Sequence, residues 1–334
     1  MNRTAQVTLL TSMALSLGVA VAGCGSSSAS GGSSTSKKSV YLVSSVGTGW
    51  QGGYNTAFIK TLQDQGVTVT FLQDPFDVSK NVANLDQAIA AKPTAVAFMT
   101  LSNTAVLPAL ERAKKAGVPV INLDGRPDDR GVPLLTSSLE SDNLNQGKFA
   151  AQNIVEGLKA QGLTSANIIA LTGTAATNTV QDRMTGFNEV LAQHPQYKLV
   201  ATEDANWDQT KTAQLAQQLF AKYKSEGGIQ AAYGMADNQA AGIIQAAKQA
   251  DLPLGGAKGL IVTGSNCYKV GIDAIKDGTQ YGTATQAPGV EGKWAADYVA
   301  KFVDGQTIPK RVLNEEFRVT KANVEKYAPE CSGA

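Results

Sequence analysis

Histidine occurs once in the 334 residues, and cysteine three times, at Cys24, Cys267 and Cys331. One imidazole and three scattered thiols argue against a transition-metal site, and no metal or other cofactor is expected. No serine, cysteine or carboxylate pair has nucleophile–base spacing, so an enzyme is not expected. His194 precedes Pro195 at the end of an expected helix, where the helix terminus accounts for it without catalysis. Charge of one sign is missing too. The 29 Lys and Arg balance 28 Asp and Glu, interspersed, and leave no basic stripe for nucleic acid. No short-period repeat is present, and after residue 23 no run is apolar enough to span a bilayer.

Residues 1–23 stand apart. Arg3 supplies a short positive region, an apolar small-residue run follows, and the segment reads as a cleaved secretory signal peptide. Twin arginines are absent, which favours general secretion over export of a folded, cofactor-loaded enzyme. The residues before Cys24 (Val21-Ala22-Gly23) resemble a bacterial lipoprotein box. That resemblance implies cleavage before Cys24 and lipidation of its thiol; an ordinary signal peptide is the alternative. Residues 24–39 then form a Gly/Ser linker that cannot bury a core, with a reach on the order of 20 Å. If Cys24 carries lipid, Cys267 and Cys331 remain as a disulfide candidate in an oxidising compartment, or as two free thiols.

About 295 residues remain, which suits two domains better than one. Strand and helix patterns alternate from residue 40 onward, with strands expected at 40–43, 67–72, 94–99 and 118–123. A second series follows the Asp- and Pro-rich stretch 124–133 and closes with an extended piece at 311–319. Gly66 and Gly117 stand just past helix ends, as C′ glycines do. The fold class is α/β: two doubly wound, Rossmann-like lobes with parallel sheets.

The first strand breaks into Gly47-Thr48-Gly49-Trp50-Gln51-Gly52, a G-x-G-x-x-G between strand and helix. Asp74 follows a second strand at the distance of a ribose-binding acid, so an exported NAD-dependent oxidoreductase is one reading. Trp50 in the same turn suggests another: a flat apolar face for a sugar ring. In open α/β sheets, ligands bind beyond the carboxyl ends of the strands. The residues following each expected strand include Trp50, Asp124, Arg183, Trp207, Asp237, Asn238, Asn266 and Gln286. Aromatic faces, one guanidinium, carboxylates and amides suit a neutral polyhydroxylated ligand.

Across residues 39–328 the chain resembles the ribose- and galactose-binding type of bacterial solute-binding protein, the periplasmic binding proteins of type I. The carriers are VPVINLD at 118–124, SDN at 141–143, QDRMTGF at 181–187, DANWD around Trp207, ADN at 236–238 and TATQ at 283–286. The resemblance implies a three-strand hinge, cut near Ser141, Gln286 and Glu315. It also implies lobes of residues 40–141 with 287–315, and 142–286 with 316–334. Thr48, Trp50, Gln51, Asp124, Arg183, Trp207, Asp237, Asn266 and Gln286 fall at ligand-binding positions, with local turn support the alternative for Asp237. Gly125 stands where these proteins carry Arg, and Ala236 where they carry Asn, so a monosaccharide or polyol other than ribose is expected. Function follows by the same resemblance. A monomeric lipoprotein on the outer side of the cell membrane captures the sugar by hinge closure and hands it to ABC importer permease subunits.

Overall fold

Strand residues here send consecutive side chains into two different cores, as the pleat requires when helices cover both faces. In the computed structural model, which describes residues 38–46 and 49–331, β1 (Ser39–Ser45) shows this directly. Val40 and Leu42 enter a core with α1 (Gly49–Asp64) and α9 (Pro288–Val303). Val43 enters the opposite core, with α2 (Val78–Ala90) and α3 (Leu107–Ala116).

The first sheet is completed by β2 (Thr68–Asp74), β3 (Ala95–Phe98), β4 (Val120–Asp124), β5 (Ser137–Ser141) and β11 (Arg311–Asn314). Its order is β11-β5-β4-β3-β1-β2, and every pairing is parallel. Then come α4 (Asn143–Ala160), β6 (Ala166–Thr172), α5 (Asn178–Leu191), β7 (Tyr197–Asp204), α6 (Gln209–Tyr223) and β8 (Ala231–Gly234). The chain continues through α7 (Asp237–Gln249), β9 (Ile261–Thr263), α8 (Lys269–Asp277), β10 (Gly282–Ala284), β12 (Arg318–Thr320) and α10 (Val324–Cys331). The second sheet runs β12-β10-β9-β8-β6-β7. Ile168 and Ala170 of β6 face α4 and α5, whereas Ile169 and Leu171 face α6 and α7.

Three differences from the sequence reading have local causes. The stretch 311–319 is two strands in different sheets, and β12 is antiparallel to β10, so the second sheet is not wholly parallel. α10 has a core of its own with Cys267, Ile272, Ile275 and Val319, and the Cys267–Cys331 bond pins it there. The helical pattern in the sequence runs from Thr104 to Ala116, but α3 begins at Leu107, with Pro108 in its first turn. Gly117 ends α3 at φ 67, the left-handed conformation that glycine adopts without strain.

The backbone passes between the sheets three times: after β5, between β10 and α9, and between β11 and β12. These crossings bring the carboxyl ends of both sheets toward one cleft.

Candidate functional site

A cavity of about 740 Å³ lies between the two sheets, within the range of small-molecule sites. The first lobe contributes Trp50 and Gln51 from α1, Phe76 after β2, Met99 and Leu101 after β3, and Asp124 at the end of β4. The second contributes Arg183 from α5, Trp207 after β7, Asn238 from α7, and Asn266 and Tyr268 after β9. Gln286, at the crossing after β10, lines it as well.

Arg183 is 1% exposed, and its guanidinium is held on several sides. Nε donates to Asn143 Oδ1 at 2.9 Å, while Nη1 donates to the Met235 carbonyl at 2.7 Å and Asn266 Oδ1 at 2.8 Å. Nη2 donates to Gln286 Oε1 at 2.7 Å, and the guanidinium stands 5.7 Å from the Trp207 ring centroid. So held, the charge is fixed in place before any ligand arrives. Gln286 then reaches across to the first lobe, donating to Asp124 Oδ1 at 3.1 Å and Ser141 Oγ at 2.7 Å. Acid and base are thereby joined through one amide.

The Asp124 carboxylate also accepts from Ser141 at 2.9 Å. Burial pushes its pKa up, against the lowering pull of Ser141, Arg183 and the Gly125 N–H. Trp50 is fixed by an indole N–H bond of 2.9 Å to the Gln286 carbonyl and by tilted contact with Tyr54. Trp207 has φ 62, a backbone region that a bulky residue rarely enters. Its ring lies where a Cβ on Gly173 would stand, 1.8 Å from the nearest ring atom, so only glycine at 173 admits it. Asp124 (φ 60) and Asn266 (φ 82) share the left-handed conformation. Three cavity side chains are thus aimed by unusual turns at strand ends.

Behind Asp124 lies a buried carboxyl pair. Both oxygens of Glu291 lie within 3.0 Å of Ser141 Oγ, and Asn314 donates to Oε1 at 3.2 Å. Glu316 accepts from Thr285 at 2.8 Å, and its other carboxyl oxygen, Oε1, has no donor. Burial raises Glu291 to about 7 and pushes Glu316 well above the ordinary carboxylate range, and each carboxyl raises or bonds the other. A carboxyl that keeps its proton here avoids the repulsion of two buried negative charges.

Two sequence expectations need correction. Asp237 does not line the cavity. It is fully buried and accepts from Gln280 at 2.7 Å, Thr283 at 3.0 Å and the Tyr268 N–H at 2.8 Å. Burial raises its pKa to about 7 against those bonds, and its work is holding the β8, β9 and β10 ends together. Asp74, the supposed ribose-binding acid, is likewise buried. It accepts from Ser45 Oγ, the Phe76 and Asp77 N–H groups and Asn81, at 2.6–3.2 Å, and organises its own turn. Gly49 and Gly52 lie within α1, and Gly52 does not line the cavity. The dinucleotide reading therefore loses its acid. Thr48 and Cys24 lie outside the described residues, as does Gly47.

Phe76, Met99, Leu101, Asn103, Asn178 and Tyr268 line the cavity without having been expected there. The strand-end rule applied to β2 and β3 leads to Phe76 and Leu101; nothing local marks Asn103 or Asn178. Among the described residues, no group of three His, Cys, Asp or Glu side chains is placed to hold a metal ion. No described helix is long and apolar enough to cross a membrane.

Comparison with known proteins agrees with this architecture. A ribose import binding protein of Haemophilus influenzae is 26% identical over 253 residues, 76% of this chain and 81% of the relative. A fructose import binding protein of Bifidobacterium longum is 27% identical over 302 residues, 88% of each chain. The crystal structure of a galactofuranose binding protein superposes with a TM-score of 0.80 at 19% identity, covering 89% of this chain and 99% of that one. Residues 40–307 match the model of the periplasmic binding protein domain, and the chain belongs to that family.

Proposed function

We propose that this protein is an extracytoplasmic substrate-binding lipoprotein of an ABC importer. It captures a monosaccharide or polyol between its lobes by hinge closure and delivers it to the permease subunits. The observation that carries this reading is the convergence of Asp124, Arg183, Asn266 and Gln286 in one cavity with Trp50 and Trp207. Asp124 and the amides bond hydroxyls, and an indole face covers the C–H side of a sugar ring. Phe76, Met99 and Leu101 add an apolar wall on the first lobe, suited to the less hydroxylated edge of the ligand. Relatives bearing the names of ribose, fructose and xylitol binders support a sugar or polyol as the ligand class.

The protein acts as a monomer, uses no cofactor and catalyses no reaction. The Gly/Ser linker, residues 24–39, tethers the binding body to a lipid on Cys24, on the outer side of the cell membrane. Metabolic labelling with a fatty acid should mark the wild type and not Cys24→Ser; equal labelling would remove the anchor.

Isothermal calorimetry with ribose, fructose, xylitol, arabinose and myo-inositol tests the binding reading. At least one should bind at micromolar strength or better, about −8 kcal/mol, while NAD gives no heat. Tight NAD binding with no response to any sugar or polyol would refute it.

A further inference from the structure

The first turn of α5, in the second lobe, meets two loops of the first lobe at the cavity wall. Asn178 makes four hydrogen bonds there. Its side-chain amide donates to the carbonyls of Arg126 at 3.0 Å and Pro127 at 2.9 Å. It accepts from Asn103 Nδ2 at 2.9 Å, and its backbone N–H donates to Asn103 Oδ1 at 2.8 Å. The two asparagines form a reciprocal amide pair across the lobes, and Asn178 is only 9% exposed. The two first-lobe loops are tied together by the Asp128 N–H to the Asn103 carbonyl at 2.9 Å, so they present a single surface.

The neighbouring residue sets the distance of approach. Thr179 Oγ1 lies 2.4 Å from where a Cβ on Gly125 would stand. Any larger residue at 125 meets that hydroxyl unless the lobes separate or the threonine turns away. Arg126, which lines the cavity, pairs with Asp129 at 2.5 Å and stands 3.8 Å from Asp182 of α5.

We propose that Asn103, Asn178 and the Gly125–Thr179 contact form an interlobe clasp that holds the ligand-free protein closed and sets the closed spacing. The inference rests on the hinge-closure reading above, and it adds closure before the ligand arrives. The Asn103–Asn178 bonds, the Asn178 bonds to the Arg126 and Pro127 carbonyls and the Gly125–Thr179 approach all join the two lobes and leave the amides satisfied. Apparent affinity for any ligand scales with the competent fraction, so the clasp sets affinity by holding that fraction.

Acrylamide quenching of tryptophan fluorescence in the full chain, with no sugar added, tests the clasp. Trp50, 6% exposed, and Trp207 line the cavity from opposite lobes, so separating the lobes should raise their exposure to the quencher. Asn178→Ala should raise the quenching constant by about twofold as the population shifts toward open. Gly125→Ala should move it the same way. Gly125→Ala combined with Thr179→Ala should return it toward wild type, because the remaining Thr179 Cβ stands at 3.8 Å, an ordinary contact. Unchanged quenching in a folded Asn178→Ala chain, or a double variant no closer to wild type than Gly125→Ala, overturns the clasp. If circular dichroism shows that Asn178→Ala does not fold, the Gly125 and Thr179 variants decide alone. No sugar enters the experiment, so a failed search for a ligand leaves the clasp standing. Equally, a failed clasp leaves the calorimetric test untouched.

Discussion

Asp124 and Arg183 sit in the same cavity but differ in what their removal would do. Asp124 occupies φ 60, a conformation that asparagine tolerates and alanine resists. Asp124→Asn keeps the Oδ1 acceptor for Ser141 and Gln286, removes the charge and turns the second carboxylate oxygen into an NH2 donor. A hydrogen bond to a charged group contributes about 1.5–3 kcal/mol, so this variant should lose roughly 10- to 100-fold in sugar affinity while its urea midpoint holds. Calorimetry beside urea titration reads both, and wild-type affinity would remove Asp124 from the ligand. Arg183→Ala is a poorer probe. It strands the oxygens of Asn143, Asn266, Gln286 and Met235 in a buried site, which mixes unfolding with lost binding.

At the scale of elements, the place of Arg183 depends on how α5 lies on α4. The two helices approach backbone to backbone at a pair of glycines. A Cβ on Gly147 would stand 1.8 Å from the Arg183 carbonyl oxygen, and one on Gly186 would stand 2.0 Å from that of Leu144. Neither obstacle is a flexible side chain, so an added methyl must push the helices apart. Gly186→Ala should cost about 1–3 kcal/mol or more by overpacking and carry Arg183 away from Gln286, weakening sugar binding as well. Gly289→Ala, where an added Cβ meets nothing, is the control. Equal urea midpoints for the two variants would contradict this account of the crossing.

For the whole molecule, the three crossings gather buried acids, and their protons link folding to pH. Burial holds Glu291 at about 7 and Glu316 well above the usual value, so the folded state binds more protons than the unfolded chain. Their contribution to stability is complete below the ordinary carboxyl range. It falls as pH rises from about 4.5 toward 7 and beyond, by on the order of a few kcal/mol. Asp237, raised to about 7, acts with the same sign over the same range. Glu316→Gln should therefore flatten the decline in urea midpoint between pH 4.5 and 8 without abolishing it, since Asp237 remains. A variant whose midpoint falls as steeply as wild type would show that Glu316 takes up no extra proton on folding.

Much of the architecture is legible in residue order, because strand and helix periods and C′ glycines are local properties. The near-continuous apolar runs within residues 39–45 and 166–172 already imply helices on both faces of each sheet. Strand-end logic also leads to Trp50, Asp124, Arg183, Trp207, Asn266 and Gln286, because chain ends of parallel strands share one edge whatever the details. Tertiary structure alone decided the rest. Asp237 and Asp74 look like ligand groups in sequence and turn out to be spent on neighbouring backbone and amides. The Asn103–Asn178 pair spans 75 positions, the Ser141–Glu291 bond spans 150, and Gly173 matters only because Trp207 folds over it. A pattern along the chain reports what neighbours in sequence want. Which buried polar group meets which partner depends on how two lobes are brought together, and that is settled only when the three crossings are in place.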